Sequence, residues 1–567
     1  PIRYSVLDGE GNLINFVVTK KNKKGKMIRR LIFISVFAAA AAMAALAQNV
    51  TGTVTCGGTG VSGVAVSDGI NVVTTDKQGR YALQTDKANG YVFISIPRGY
   101  TVDMADGFNP QFWQKLSDAK VETTEVHNFK LTYSPADDYV MIIGADSHLA
   151  RRIGDRKTYK NGYIASLKYE KEKAAESQLP TYSMILGDLT WDNFWYANKY
   201  TLRNFMDDQR KMHYPVPLFP VIGNHDNDPA VPHSANTDFL AAKLWRDVVC
   251  PNYYSYNLGK VHYVVLDNIV YQNDTLPAGK KARKGVWGQR NYNAAVTEQQ
   301  INWLRQDLAL VDKQMPVVVC SHIPTFRINR NFSTFGSLQN YKELASCFDG
   351  FKNVHFVSGH THVNFNAHPS EYPHIMEHNI AAICATWWIT GKLTGTDMCT
   401  DGSPAGYSRW TVRGDSIEWK YASIEDHSGP QMRVLDMNTV KHFLATDADA
   451  VALSKTFKQM PTYDAFEENS VLINVFAWDD DWKLEVTENG TSLPTARLHA
   501  IDPAYLLAYA LPRHKRGENV APQHHHGTLH IFKAVASNPT TPVTVKVTDT
   551  FGHTYTTTLT RPAAFGR

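Results

Sequence analysis

Five short apolar runs, each ending in Asp, Asn or His, constrain this chain more than any other feature. Tyr139–Ala145 leads into Asp146-Ser-His148, and Tyr182–Leu186 into Gly187-Asp188. Leu218–Ile222 leads into Gly223-Asn224-His225-Asp226, Val317–Cys320 into Ser321-His322, and Val354–Val357 into a segment ending Gly359-His360-Thr-His362. Runs of this length and apolarity read as strands buried on both faces. Helical stretches lie between them, at Ile164–Gln178 and Glu298–Asp312. The second opens with Thr297-x-x-Gln300, a capping-box pattern, and sets Ile301, Leu304, Leu308 and Val311 on one face. Tyr254–Leu258 and Val261–Leu266 flank Gly259-Lys260 as a hairpin. Strands alternating with helices predict a layered α/β unit over residues 135–386.

In such sheets, sites form where strands end, so residues distant in sequence converge there. Separations of 42, 36, 98 and 38 residues between Asp146, Asp188, Asn224, His322 and His360 leave room for crossovers. Four His, two Asp and one Asn offer nitrogen and oxygen but no thiolate. That set suits Mn, Fe or Zn better than a soft-metal cluster or an all-oxygen calcium cage. Seven ligands exceed one four-coordinate site, whereas two ions sharing a carboxylate would use them all.

The ordered set Asp-x-His, Gly-Asp, Gly-Asn-His-Asp, His and Gly-His-x-His resembles the calcineurin-like metallophosphoesterases over about residues 138–385. Gly-Asp alone carries no information; the five motifs together, in order, are specific. Flanking segments, through Asp401-Gly-Ser-Pro404-Ala-Gly406-Tyr407 and Ala477-Trp478-Asp479, resemble the β modules of a bacterial secreted subgroup. The resemblance implies that Asp146, His148 and His362 bind one metal ion, that Asn224, His322 and His360 bind a second, and that Asp188 bridges them. It implies hydrolysis of a phosphate ester by a metal-bridging hydroxide, with His225 as general acid. Asp192 or Asp226 would orient His225, with Asp192 the better placed. Trp191 and the positions beside it, just after Gly187-Asp188, offer no Tyr, so the resemblance does not imply an iron–tyrosinate centre. A monoester and a diester are both compatible with these residues. The competing reading is a non-catalytic surface or glycan-binding protein on the same fold, whose mark would be a lost ligand or a lost His225; none is lost.

The rest of the chain frames this unit. At 567 residues it is long enough for three or four domains. Residues 48–134 show short strands (Thr51–Thr55, Val64–Ser67, Asn71–Thr75, Arg80–Gln84, Tyr91–Ile96) between Gly-rich turns, predicting a small antiparallel sandwich. Residues 387–567 read as a mainly β domain, with strands at Val471–Ala477, Trp482–Thr487, Gly527–Ala534, Val543–Thr548 and Thr554–Leu559.

Arg29-Arg30, an apolar run Leu31–Ala47 and a terminal Ala45-Leu-Ala47 make residues 27–47 a signal-peptide pattern, shorter than a membrane span. Residues 1–26 read as an extension upstream of that start. The expected destination is the periplasm or the exterior, with no span in the mature chain. Residues 1–47 carry eight basic and two acidic residues, so the whole-chain charge of +4 becomes −2 beyond them, with 50 basic against 52 acidic. Net charge therefore implies no nucleic-acid surface. Six Cys without a CxxC pair make neither a disulfide framework nor a thiolate zinc site.

Other candidates carry blander alternatives. His524-His525-His526 with His530 binds metal or forms a polar loop before a strand. Trp387-Trp388 lines the substrate cleft or packs in the core. Arg327 and Arg330 clamp phosphate or lie solvated. Tyr253, Tyr254 and Asn268 are placed near the cleft by position alone, and glycan contact through the flanking β units is a further expectation.

Overall fold

The computed structural model describes residues 2–7, 13–18, 48–521 and 527–566. Ile2–Leu7 pairs antiparallel with Leu13–Val18; the signal pattern at 27–47 and His524–His526 lie outside the described residues.

Two sheets make the central unit. One runs Leu218–Val221, Thr181–Leu186, Asp138–Gly144, Gly406–Arg413, Ser416–Ser423, its first three strands parallel and the last two antiparallel. The other runs Tyr254–Leu258, Val261–Val265, Val317–Cys320, Val354–Ser358, Ile375–Asn379, Phe365–Ala367, parallel at its centre. Every residue of Val317–Cys320 and Val354–Ser358 is buried, as a strand covered on both faces requires. The chain beyond residue 387 was expected to lie wholly in the C-terminal unit. Instead Gly406–Arg413 and Ser416–Ser423 extend the first sheet, because Tyr407, Trp410 and Val412 pack into the central core.

Helix Glu298–Leu308 buries Ile301, Leu304 and Leu308 as its periodicity predicts, with Trp303 beside them. Only half of its capping box forms. Thr297 accepts from the Gln300 amide, but the Gln300 side chain clasps the backbone of Asp267 instead, accepting at 3.0 Å and donating at 2.8 Å. The other expected helix spans Ala165–Glu176 and continues a helical run begun at Asp155, through one π-helical turn at Lys160–Ile164.

Two sheets over residues 50–133 form the N-terminal sandwich. Strand Val50–Cys56 pairs parallel, not antiparallel, with Glu125–Val126 and Phe129–Tyr133, since the chain crosses to the other sheet before returning. This sandwich shares one apolar core with the central unit. Leu218 donates its amide to the Phe108 carbonyl at 2.8 Å, and the Phe112 and Tyr254 rings lie 4.8 Å apart. Tyr253 helps the docking by donating to the Gly69 carbonyl at 2.5 Å.

The C-terminal unit has two four-stranded sheets with cores of their own. Helices Met437–Thr446 and Ala448–Thr456 and the helical run from Pro503 to Lys515 accompany them, none expected from the hydrophobic pattern. Each starts on an aspartate cap, Asp436, Asp447 or Asp502. Asp401 ties this unit to the centre: its carboxylate accepts from the Asn364 amide at 2.7 Å and lies 3.2 Å from His530 Nε2. His530 is thereby a buried partner of Asp401 and Asn474. Among the described residues no helix is long and apolar enough to cross a membrane. All six Cys are free thiols.

Candidate metal centre

The strand ends of the two sheets meet, and the sequence-predicted residues converge there. Asp146, His148, Asp188, Asn224 and His225 come from the first sheet; His322, His360 and His362 come from the second. Asp146, His148, Asp188, His322 and His362 are each at most 3% exposed. Asp146, His148, Asp188, His360 and His362 all adopt left-handed backbone, with φ between 42° and 67°. Non-glycine residues held there store about 1–3 kcal/mol each, strain that the surrounding fold must impose. Gly187 has φ 80°, and a Cβ on it would lie 2.5 Å from His322 Nδ1. Glycine is required at that position both for the turn and for the ring's approach.

Second partners aim the rings. His362 Nδ1 lies 2.8 Å from the Ala385 carbonyl and His322 Nδ1 2.8 Å from that of Leu186, which turns each Nε2 toward the centre. There His362 Nε2 is 3.0 Å from His148 Nε2 and 3.3 Å from Asp146 Oδ1. On the other side His322 Nε2 is 3.0 Å from Asn224 Oδ1 and 3.1 Å from His360 Nδ1. Asp188 Oδ2 faces both groups, 3.5 Å from His148 Nε2 and 3.3 Å from His322 Nε2.

These residues fit metal ions. Asp146 Oδ1 is buried without a hydrogen-bond partner, a costly arrangement unless a cation takes it up. Bonds of ~2.1 Å to a common ion put neighbouring ligands roughly 3.0–3.4 Å apart, the spacing found here. Burial raises the Asp146 and Asp188 carboxyls, but the facing imidazoles outweigh it and hold both below the usual carboxylate range. Cys384 Sγ lies 3.9 Å from His362, on the Nδ1 side. Burial holds that thiol well above its ordinary pKa, so it packs behind the ligands as a neutral group.

His225 stands beside this cluster, with its side chain 23% exposed. Its Nδ1 is 2.7 Å from Asp192 Oδ1, and Arg290 Nη1 donates to the same oxygen at 2.7 Å. Burial lowers the His225 pKa, yet the charges of Asp188 and Asp192 more than reverse that, and the net shift is upward. Asp226 is not its partner. That carboxylate accepts the amides of Gly223, Leu189 and Thr190 at 3.0–3.1 Å and so holds two ligand loops together.

The remaining candidates divide. Trp387 lies against the site, its ring 4.4 Å from that of His362, whereas Trp388 is buried and donates to the Ser147 carbonyl. Asn268 brackets the Ile323 peptide with two hydrogen bonds and fixes the backbone just after His322. Tyr254 is buried and donates to the Pro220 carbonyl. Arg327 and Arg330 are exposed on the hairpin Phe326–Ile328 and Thr334–Gly336, and Arg330 faces Pro461–Phe466 instead of the ligands. Sequence reading missed Arg290, Tyr292, whose hydroxyl is 3.3 Å from His360 Nε2, and Arg152. No motif marks them: Arg152 and Arg290 reach the site from loops, and Tyr292 from the short strand Tyr292–Ala294.

Comparison with known proteins agrees with this geometry. The profile for calcineurin-like phosphoesterase matches residues 141–364, that for its N-terminal domain residues 48–134, and that for its C-terminal domain residues 377–555. No curated protein matches the chain. Among solved structures, a dimetal phosphatase from Danio rerio is similar at 14% identity and a TM-score of 0.33, over 50% of this chain and 96% of its own. GAP50, described as the anchor in the inner membrane complex of Plasmodium, is similar at 13% identity and a TM-score of 0.29, over 52% of this chain and 86% of its own. The profiles take in the site and both flanking units, and the chain belongs to the calcineurin-like phosphoesterase family of metal-dependent phosphoester hydrolases.

Proposed function

We propose that this enzyme hydrolyses a phosphate ester outside the cytoplasm, with His225 as the general acid. The observation that carries the catalytic reading is Asp188 Oδ2, one carboxylate oxygen facing His148 on one side and His322 on the other. Asp146, His148 and His362 would hold one ion, Asn224, His322 and His360 the other, and Asp188 both. The nitrogen and oxygen set favours Mn, Fe or Zn. Two such ions would supply Lewis acidity at the phosphoryl oxygens and an activated water.

The protein's own groups do the rest. The His225 amide donates to Asp188 Oδ1 at 2.8 Å and fixes that carboxylate. Asp192, bonded to His225 Nδ1, sets the ring so that Nε2 carries the proton for the leaving oxygen. The neighbouring Asp188 and Asp192 charges favour the protonated ring. Arg290 balances the Asp192 charge and keeps it in place. Export rests on the signal pattern at 27–47.

The test is to purify the chain, measure bound metal, and compare p-nitrophenyl phosphate with bis(p-nitrophenyl) phosphate in wild type, Asp188→Ala and His225→Ala. Two ions per chain, with turnover lost in both variants, supports the reading. Full activity in both variants, or no more than one ion in wild type, overturns it. The preferred ester assigns mono- or diesterase.

A further inference from the structure

The mouth of the site holds two guanidinium groups that phosphate hydrolysis alone does not need. Arg152 sits four residues after His148. Its guanidinium lies 4.8 Å from the Trp191 ring and 5.3 Å from the Phe194 ring, and donates to the Trp387 carbonyl at 3.4 Å. Arg283 approaches the same Phe194 ring at 4.7 Å. Among the described residues neither group forms an ion pair with a carboxylate.

The backbone presents Arg152 deliberately. Arg151 and Ile153 on either side are left-handed, at φ 53° and 47°. The buried Asp155 accepts the amides of Ala150 and Arg152 at 2.7 and 3.1 Å and locks the loop. Burial lowers the Arg152 pKa, the Asp155 carboxylate opposes that shift, and the like charge of Arg283 adds to it more weakly. Exposed Lys280, Lys281 and Lys284 add to the positive field on this loop. Arg152 and Arg283 share the Phe194 ring, neither in an ion pair among the described residues, and the planar guanidinium fork suits a phosphate.

Position tells which part of a substrate they would meet. The Trp191 ring is 5.4 Å from that of His148 and 6.2 Å from that of His225. Arg152 covers that same ring, so it stands one aromatic ring beyond both His148 and His225, the group that would protonate the leaving oxygen. We propose that Arg152 and Arg283 form a second anion subsite that binds a phosphate carried on the leaving group, making the substrate an ester whose leaving alcohol is itself phosphorylated. This rests on the phosphoesterase reading above. In the reaction water adds to the scissile phosphorus, its P–O bond to the alcohol breaks, and the phosphorylated alcohol departs with the proton from His225.

Glucose 1,6-bisphosphate and glucose 1-phosphate share their first ester and differ in the second phosphate. Each is titrated as a competitive inhibitor of bis(p-nitrophenyl) phosphate turnover by the metal-loaded full chain, with added metal in excess. In wild type the bisphosphate is expected to bind at least about tenfold tighter, the worth of one charge-assisted contact. That ratio should fall toward one in Arg152→Met and Arg283→Met and return in part in Arg152→Lys. A purely structural role for the arginines would shift both inhibitors together and leave the ratio unchanged, which overturns the subsite. Equal binding in wild type also overturns it. Absence of diester and monoester turnover in metal-loaded wild type instead fails the phosphoesterase reading on which the subsite stands.

Discussion

His148 and His362 point their Nε2 atoms at each other across 3.0 Å. The His362 ring donates from Nδ1 to the Ala385 carbonyl, which aims its Nε2 at His148. Burial drives His148 down to a pKa of about 4, and the neutral ring keeps one N–H, so without an ion the two rings hydrogen-bond each other. An ion ligated by both would take the place of that bond. Removing metal with a chelator should therefore lower the unfolding temperature as well as abolish turnover, and Mn or Zn should restore both. An ion present at a hundred times its Kd stabilises by about 2.7 kcal/mol. Scanning fluorimetry on chelated and reloaded protein checks this; an unchanged transition would show that the cluster needs no ion.

The two halves of the cluster share only Asp188. Asp188→Asn should weaken both ions and leave fewer than two per chain, with turnover near background. Asn224→Ala removes a contact on the His322 side alone and should cost about one ion. Elemental analysis after dialysis separates these outcomes, and equal losses in the two variants would contradict a bridging Asp188.

His225 makes a different kind of contribution. General acid catalysis is worth about 10²–10⁴ in rate, and more where the leaving oxygen is poorly stabilised. His225→Ala should slow alkyl phosphate hydrolysis far more than p-nitrophenyl phosphate hydrolysis. Asp192→Asn should show the same pattern, weakened, because it acts by positioning the ring. Uniform losses across leaving groups would assign His225 to binding.

Much of this centre was legible because the ligands follow closely on short, mostly apolar strands. Val317–Cys320 before His322 and Val354–Ser358 before His360 announce both the strand and the place where it stops. Asp192 lies 2.7 Å from His225 Nδ1, whereas the Asp226 carboxylate is taken by backbone amides. Arg290 and Arg152 were not legible: their roles depend on where long loops fold back, and nothing periodic encodes that. No strand was expected at Gly406–Arg413 or Ser416–Ser423, and none in the central sheet. Alternating side chains identify a strand but not the sheet it joins, which here is set by Trp410 packing into the central core. The C-terminal helices were missed because their apolar stripes are short and their stability comes from tertiary packing.

A buried ion pair braces the N-terminal sandwich. Lys87 Nζ donates to Glu125 Oε1 at 2.8 Å and to the Thr123 carbonyl at 2.7 Å, with no exposure of the lysine side chain. Lys87→Met strands the carboxylate and should cost about 3–5 kcal/mol. Glu125→Leu added to it should recover much of that loss. Denaturant titration of the three proteins tests the pair, and a neutral single variant would show that the glutamate finds enough support from Ser117.

Glu377 gives the protein a pH dependence independent of the metal ligands. The side chain is fully buried in strand Ile375–Asn379. Ser358 Oγ donates to Oε1 at 2.5 Å, and the Thr325 and Phe326 amides donate to Oε2 at 3.1 and 3.2 Å. Burial penalises the charged form more than these donors favour it, and the pKa rises to about 8. The unfolded chain holds the same carboxyl near its ordinary value of 4.5. A raised folded pKa means the folded state binds the proton more tightly, so this group's stabilising contribution is complete below pH 4.5. It declines as pH rises and is lost once pH passes about 8. Glu377→Gln keeps the shape and the two amide contacts at one oxygen but cannot ionise. Thermal unfolding followed from pH 5 to 9 should show the variant at or below wild type at pH 5 and gaining on it steadily toward pH 9. Parallel curves for the two proteins would mean that Glu377 is already ionised in the fold, with the three donors outweighing burial.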